Sequence, residues 1–137
     1  MFTISKPEFG DPYAGDYNYV GDDRVDRAGA TLRGDIYMGA FTLQNVSSLD
    51  WNERDSQVDI DGSSRIGIET DLYNTAWQFY EDIRLLWDAG KSFTWEAGGS
   101  AMFEKLFVDN VFLLNSALLT RISQRYTQKT IYWSTYA

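Results

Sequence analysis

The pattern of apolar and polar positions is most decisive near the end of the chain, where Thr120 to Tyr136 (TRISQRYTQKTIYWSTY) is rich in threonine, isoleucine and aromatics and poor in alanine and glutamate. That composition predicts one long strand or a strand pair. Ile122, Gln124, Tyr126, Gln128, Thr130, Tyr132 and Ser134 share one face; Ser123, Arg125, Thr127, Lys129, Ile131 and Trp133 share the other. Neither face is wholly apolar, which is the pattern of an edge or interface strand rather than a buried central one.

Upstream, Asp35 to Val46 (DIYMGAFTLQNV) reads as a strand with Tyr37, Phe41 and Leu43 on one parity, and Gly39 suggests a bulge or a close approach. Ser47 to Gln57 reads as a loop. Val58 and Ile60, then Asp61-Gly62, then Ile66, Ile68 and Leu72 predict a hairpin, because Asp-Gly tolerates the positive φ angles such turns demand.

Two segments fit both periods. Over residues 75–89, Thr75 and Gln78 form a capping box with Ala76, Phe79, Tyr80, Ile83, Leu86 and Trp87 along one helical side and Gly90 as the stop. Read as a strand, the same stretch places Trp77, Phe79, Ile83, Leu85 and Trp87 on one parity, and Asp88 to Lys91 becomes a turn. The helical reading is slightly preferred, on its caps and its length. Residues 100–119 show the same conflict: Phe103, Phe107, Val111, Leu114 and Leu118 suit a helix, whereas Asp109-Asn110 suits a tight hairpin.

The first residues show no repeating apolar face. Gly10 to Asp23 carries three Gly-Asp pairs, Pro12 and three tyrosines, and Asp22 to Arg33 is charged and punctuated by glycine. The expected organisation is an extended N-terminal arm over 1–28 followed by a single globular domain over 29–137. The expected fold class is mainly β or α+β, a compact antiparallel sheet or sandwich with one or two helices.

Composition narrows the chemistry. At 137 residues the chain fits one domain, and its 44% apolar content argues against wholesale disorder. The longest apolar runs fall well short of the roughly 18 residues that a spanning helix needs. The N-terminus lacks the basic and apolar regions of a secretory signal, so the expected setting is cytoplasmic synthesis of a soluble chain. There is no cysteine and no histidine. Disulfides, thiolate nucleophiles and the commonest general base and metal ligand are therefore excluded.

The candidate motifs weigh little. Asp59-x-Asp61-Gly62 with Glu69 has the flavour of a calcium loop, but with Asp59 and Asp61 in the third and fifth places Ile68 would stand where the bidentate acid belongs. Gly90-Lys91-Ser92 lacks the leading glycine of a phosphate loop, Leu85 standing there instead. Twenty acids guarantee chance carboxylate pairs, and nothing singles out two of them for catalysis. The chain is expected not to be an enzyme, with no cofactor and no metal.

Charge divides the chain. Residues 1–109 hold every acid and a net charge of −11; residues 110–137 hold Arg121, Arg125 and Lys129 and no acid. The large amphipathic rings of Tyr13, Tyr17 and Tyr19 in the arm, Trp51 in a polar loop and Trp133 near the end are interface candidates, while Trp77, Trp87 and Trp95 are assigned to the core. These features together predict a non-enzymatic structural subunit of a larger symmetric assembly. The expected kind is a phage or virus virion protein (capsid, decoration or head-tail connector), partnered by its own copies and by other structural proteins. The acidic arm would lie near Arg121, Arg125 and Lys129 of a neighbour, with no membrane and no nucleic acid as partner, in the virion or in the cytoplasm before assembly. The alternative is a carbohydrate-binding β-sandwich module, since exposed aromatics stack on sugar rings.

Overall fold

The computed structural model describes residues 18, 21–62, 64, 67–88, 90, 93–115 and 119–137. All regular structure among them is β. The strands are β1 (Asp22–Met38), β2 (Phe41–Asp59), β3 (Ile68–Asp88), β4 (Thr94–Asn115) and β5 (Leu119–Tyr136). They form one five-stranded antiparallel sheet in the order β1-β2-β3-β4-β5, and the sheet is not closed. At 17 to 22 residues each strand far exceeds the usual five or so.

Several sequence expectations are corrected here. Residues 75–88 and 100–115 are strand, not helix, and no helix occurs among the described residues. Asp109-Asn110 is not a turn but part of β4. Ser47 to Gln57 is strand, because β1 and β3 flank β2 and satisfy its backbone where its own sequence shows little alternation. Asp22 to Arg33 is likewise β1, so residues 22–28 of the expected arm belong to the sheet. The remainder of the arm, with Tyr13, Tyr17 and Tyr19, lies outside the described residues apart from Asn18 and Gly21. A second sheet, as a sandwich requires, is not found among the described residues.

The turns follow their residues. Gly39, at φ 67°, takes the left-handed conformation that lets Gly39-Ala40 join β1 to β2 in two residues. Gly39 is thus a hairpin corner, not a bulge. A hairpin joins β2 to β3 as expected, but its connection runs over residues 60–67 rather than through Asp61-Gly62 alone, and Ile66 lies outside the described residues: Ile60 N donates to Ile68 O at 2.9 Å, and Gly62 N donates to Asp59 Oδ1 at 3.0 Å. Gly90 N donates to Asp88 Oδ1 at 3.0 Å at the turn between β3 and β4.

The residues divide into two compact units. Unit 1 contains 1–26, 53–74 and 107–126; unit 2 contains 27–52, 75–106 and 127–137. Within unit 1, Arg54 grips Asp23 through Nε at 2.8 Å and Nη2 at 2.9 Å, and Arg125 reaches Asp109 at 2.5 Å. Val108, in unit 1, is the one large apolar side chain buried among the described residues. Unit 2 contains Asp82 as a buried charge and no buried large apolar side chain among its described residues. The expected core placement of Trp77 and Trp95 is therefore corrected: both are exposed.

Candidate functional site

Register decides which side chains of unit 2 share a face. The two-residue turn sets Met38 opposite Phe41. Across β2 and β3, Thr75 Oγ1 donates to Asn52 O at 3.2 Å. Across β3 and β4, the rings of Trp77 and Phe103 lie 5.0 Å apart, and those of Trp87 and Trp95 lie 6.4 Å apart. Across β4 and β5, Ser100 Oγ and Ser134 Oγ hydrogen-bond at 2.8 Å.

With side chains alternating along each strand, these pairings sort the unit into two chemically different faces. One face carries Ala28, Ala30, Leu32, Gly34, Ile36 and Met38 from β1, and Phe41, Leu43, Leu49 and Trp51 from β2. To these β3 adds Trp77, Phe79, Ile83, Leu85 and Trp87; β4 adds Trp95, Ala97, Gly99, Ala101 and Phe103; β5 adds Ile131 and Trp133. The large side chains of this face are mostly exposed, Leu32 at 70%, Ile131 at 74% and Trp133 at 73% being extreme. A contiguous apolar surface of this extent needs a cover.

Aromatic rings edge this apolar band at both ends. Phe41, Trp87, Phe93 and Trp95 cluster beside the turns at 39–40 and 89–93, with ring centroids 5.9 to 6.4 Å apart. Ten residues along the strands, Trp51, Trp77, Phe79 and Phe103 form the opposite edge. Ten residues span about 33 Å along a strand.

The band has one polar interruption. Ser47 Oγ donates to Asn45 Oδ1 at 3.1 Å, and Asn45 Nδ2 donates to Glu81 Oε1. This chain of hydrogen bonds spares each polar group a solitary place among apolar neighbours.

The opposite face is polar. It presents Arg33, Asp35, Gln44, Ser48, Asp50, Gln78, Glu96 and Glu104 around a network built on Asp82. Asp82, only 4% exposed, accepts from Arg84 Nε at 2.7 Å and from the Tyr80 and Tyr136 hydroxyls at 3.3 Å. Arg84 also lies 3.6 Å from Glu96 and over the Tyr136 ring at 5.7 Å, a cation–π geometry. The network ties β3, β4 and β5 together on this face.

The sequence-predicted residues fall in different places. Trp51 and Trp133 lie in the apolar band, and Lys129 lies on the same face of β5 as Trp133. Trp51 also borders a cleft of about 300 Å³ with Arg27, Asp50 and Asn52. Arg125 belongs to unit 1, paired to Asp109; Arg121, also in unit 1, is exposed. Sequence reading missed the band on β1 and β2, although the parity of Ala28, Ala30, Leu32, Ile36 and Met38 was available to it. Asp59 and Asp61 serve a turn: Asp61 Oδ1 accepts from Ile68 N at 3.2 Å. Burial, then the neighbouring Asp61, raises the Asp59 carboxyl above the usual range. Among the described residues no group of three or more acids, as a metal would need, is gathered. No protein-family model matches the chain, and no curated protein matches it.

Proposed function

We propose that unit 2 forms part of the wall of a transmembrane β-barrel, its apolar band against lipid and its polar face toward the lumen. The observation that carries the reading is the band itself: an exposed apolar face ten residues, or about 33 Å, long along the strands, edged by aromatic rings at both ends and backed by a polar face; at the tilt of barrel strands, near 40°, it would stand about 25 Å tall. Such strands alternate apolar-out and polar-in, which is what the parities of β1 and β3 do. Two short turns border the same edge of the band. Bilayer-spanning barrels have eight or more strands. Five are present among the described residues, so the remaining staves would come from outside them, pairing with the edges of β1 and β5.

This reading departs from the expected virion subunit, which would cover the same band with protein. Reconstitution of the full chain into vesicles of brominated phosphatidylcholine tests it. Bromine buried in the acyl region should quench the tryptophan emission strongly, and burial in the bilayer should shield it from aqueous iodide. Tryptophans quenched by iodide alone, in a protein that stays out of the vesicles as a large particle of defined mass, would instead favour the virion reading.

A further inference from the structure

We infer that Lys105 and Lys129 form a site for the phosphate of an anionic lipid headgroup at one rim of the apolar band; the inference rests on the membrane reading above. The register places the two lysines directly opposite one another. Ser100 faces Ser134, and Asp109 pairs with Arg125, so the residues between them on β4 and β5 put Lys105 across from Lys129. Both share the face of Phe103, Ile131 and Trp133 and stand just beyond the row that Phe103 and Ile131 complete, at the band edge away from the short turns. Both are exposed, and neither makes an ion pair among the described residues.

Two like charges directly opposite on one face of a sheet destabilise it unless an anion lies between them. Such cross-strand partners have Cβ atoms only about 5 Å apart, close enough for one phosphate to receive hydrogen bonds from both ammonium groups. Within unit 2 the nearest acid on this face is Glu81, whose place opposite Gly99 to Ala101 sets it at least four residues, about 13 Å, along β4 from Lys105. It cannot neutralise the pair. Lysine stems lie along apolar surface and lift their ammonium groups to the headgroup level, where anionic lipid is. The rest of the chain is strongly acidic, so attraction here is local to the pair.

The test compares the full chain with Lys105→Gln/Lys129→Gln in vesicles of phosphatidylcholine alone and of phosphatidylcholine mixed equally with phosphatidylglycerol. A charge-matched control, Arg27→Gln/Arg33→Gln, neutralises two cations on the polar face. The wild type and the control should partition more strongly into the mixed vesicles at low salt. The lysine variant should lose about tenfold or more of that preference while still entering neutral vesicles. Equal preference in the lysine variant and the wild type overturns the site and leaves the membrane reading standing. Failure of all three proteins to enter either vesicle overturns both. Lysine ammonium NMR signals that saturate with inorganic phosphate in neutral vesicles, without any preference for phosphatidylglycerol, would assign the pair to a free anion and overturn the headgroup site.

Discussion

At Gly98 an added methyl would stand 2.6 Å from the Ile83 carbonyl oxygen and 2.7 Å from the Tyr136 hydroxyl. Only a hydrogen fits there, and the space it leaves lets the Tyr136 ring lie over β4 and deliver its hydroxyl to Asp82. Gly98→Ala is expected to destabilise the protein by about 1–3 kcal/mol, because both the backbone and the ring must move. Tyr136→Phe keeps the ring over Gly98 and removes one donor of three from Asp82, at about 1 kcal/mol. Denaturant unfolding of the two variants checks the order, with alanine the worse. A second residue sets a pH dependence. Asp59 binds its proton more tightly folded than unfolded, so stability falls as pH rises from the unfolded carboxyl range, near 4, through the raised folded value. Asp59→Asn should flatten that slope while its side-chain oxygen still accepts from Gly62, and stability measured between pH 4 and neutrality shows whether it does. Asp23 slopes the other way: Arg54 holds its carboxyl below the usual range, so its contribution is lost as pH falls through the lowered value.

At the scale of the strand, β3 states the two-faced pattern most fully. Ile83 stands in the middle of the apolar face, whereas Gln44 of the neighbouring β2 lies on the polar one. If the band faces lipid, Ile83→Arg should cost about 2–4 kcal/mol in vesicle folding and Gln44→Arg little, and the difference should shrink in a short-chain detergent that admits water. The parity of Trp77, Phe79, Ile83, Leu85 and Trp87 was legible in the sequence, but Thr75 and Gln78 also satisfied a helix cap, and local residues cannot choose between two satisfied periods. Ladder partners on both sides choose. The stretch from Ser47 to Gln57 was illegible for a different reason. Its charges, Asp50, Glu53, Arg54 and Asp55, occupy both parities, so no inward face announces a strand, and only the register inherited from the Gly39 turn identifies one. The long final strand was legible because threonine, isoleucine and aromatics fill it almost without interruption.

For the whole molecule, the apolar parity reaches both outermost strands. Leu32 and Ile36 on β1 and Ile131 and Trp133 on β5 are 58–74% exposed, and among the described residues each of these two strands has one ladder edge without a partner. The proposed barrel closes when those edges pair with further strands. Light scattering in detergent, corrected for bound detergent, should therefore give a protein mass well above that of the single 15.7 kDa chain, and blocking an edge by Ile131→Pro should lower it. A mass of one chain would leave the edges open and count against closure by copies. The candidate site was only half legible: Trp51, Lys129 and Trp133 stood out as unusual residues, but their common face exists only once the strands are in register.

Every ladder in the sheet joins strands that are consecutive in the chain, from the tight corner at Gly39 to the pairing of β4 with β5. Its kinetic consequence is that no strand must wait for a distant segment to arrive. Each pairing closes a short loop, so the entropy lost at each step is small and the contact order is low for an all-β chain. The two-residue corner is the natural place for that growth to begin, since a hairpin there forms in microseconds. Disturbing the corner with Gly39→Val should slow the appearance of the sheet far more than it speeds its loss.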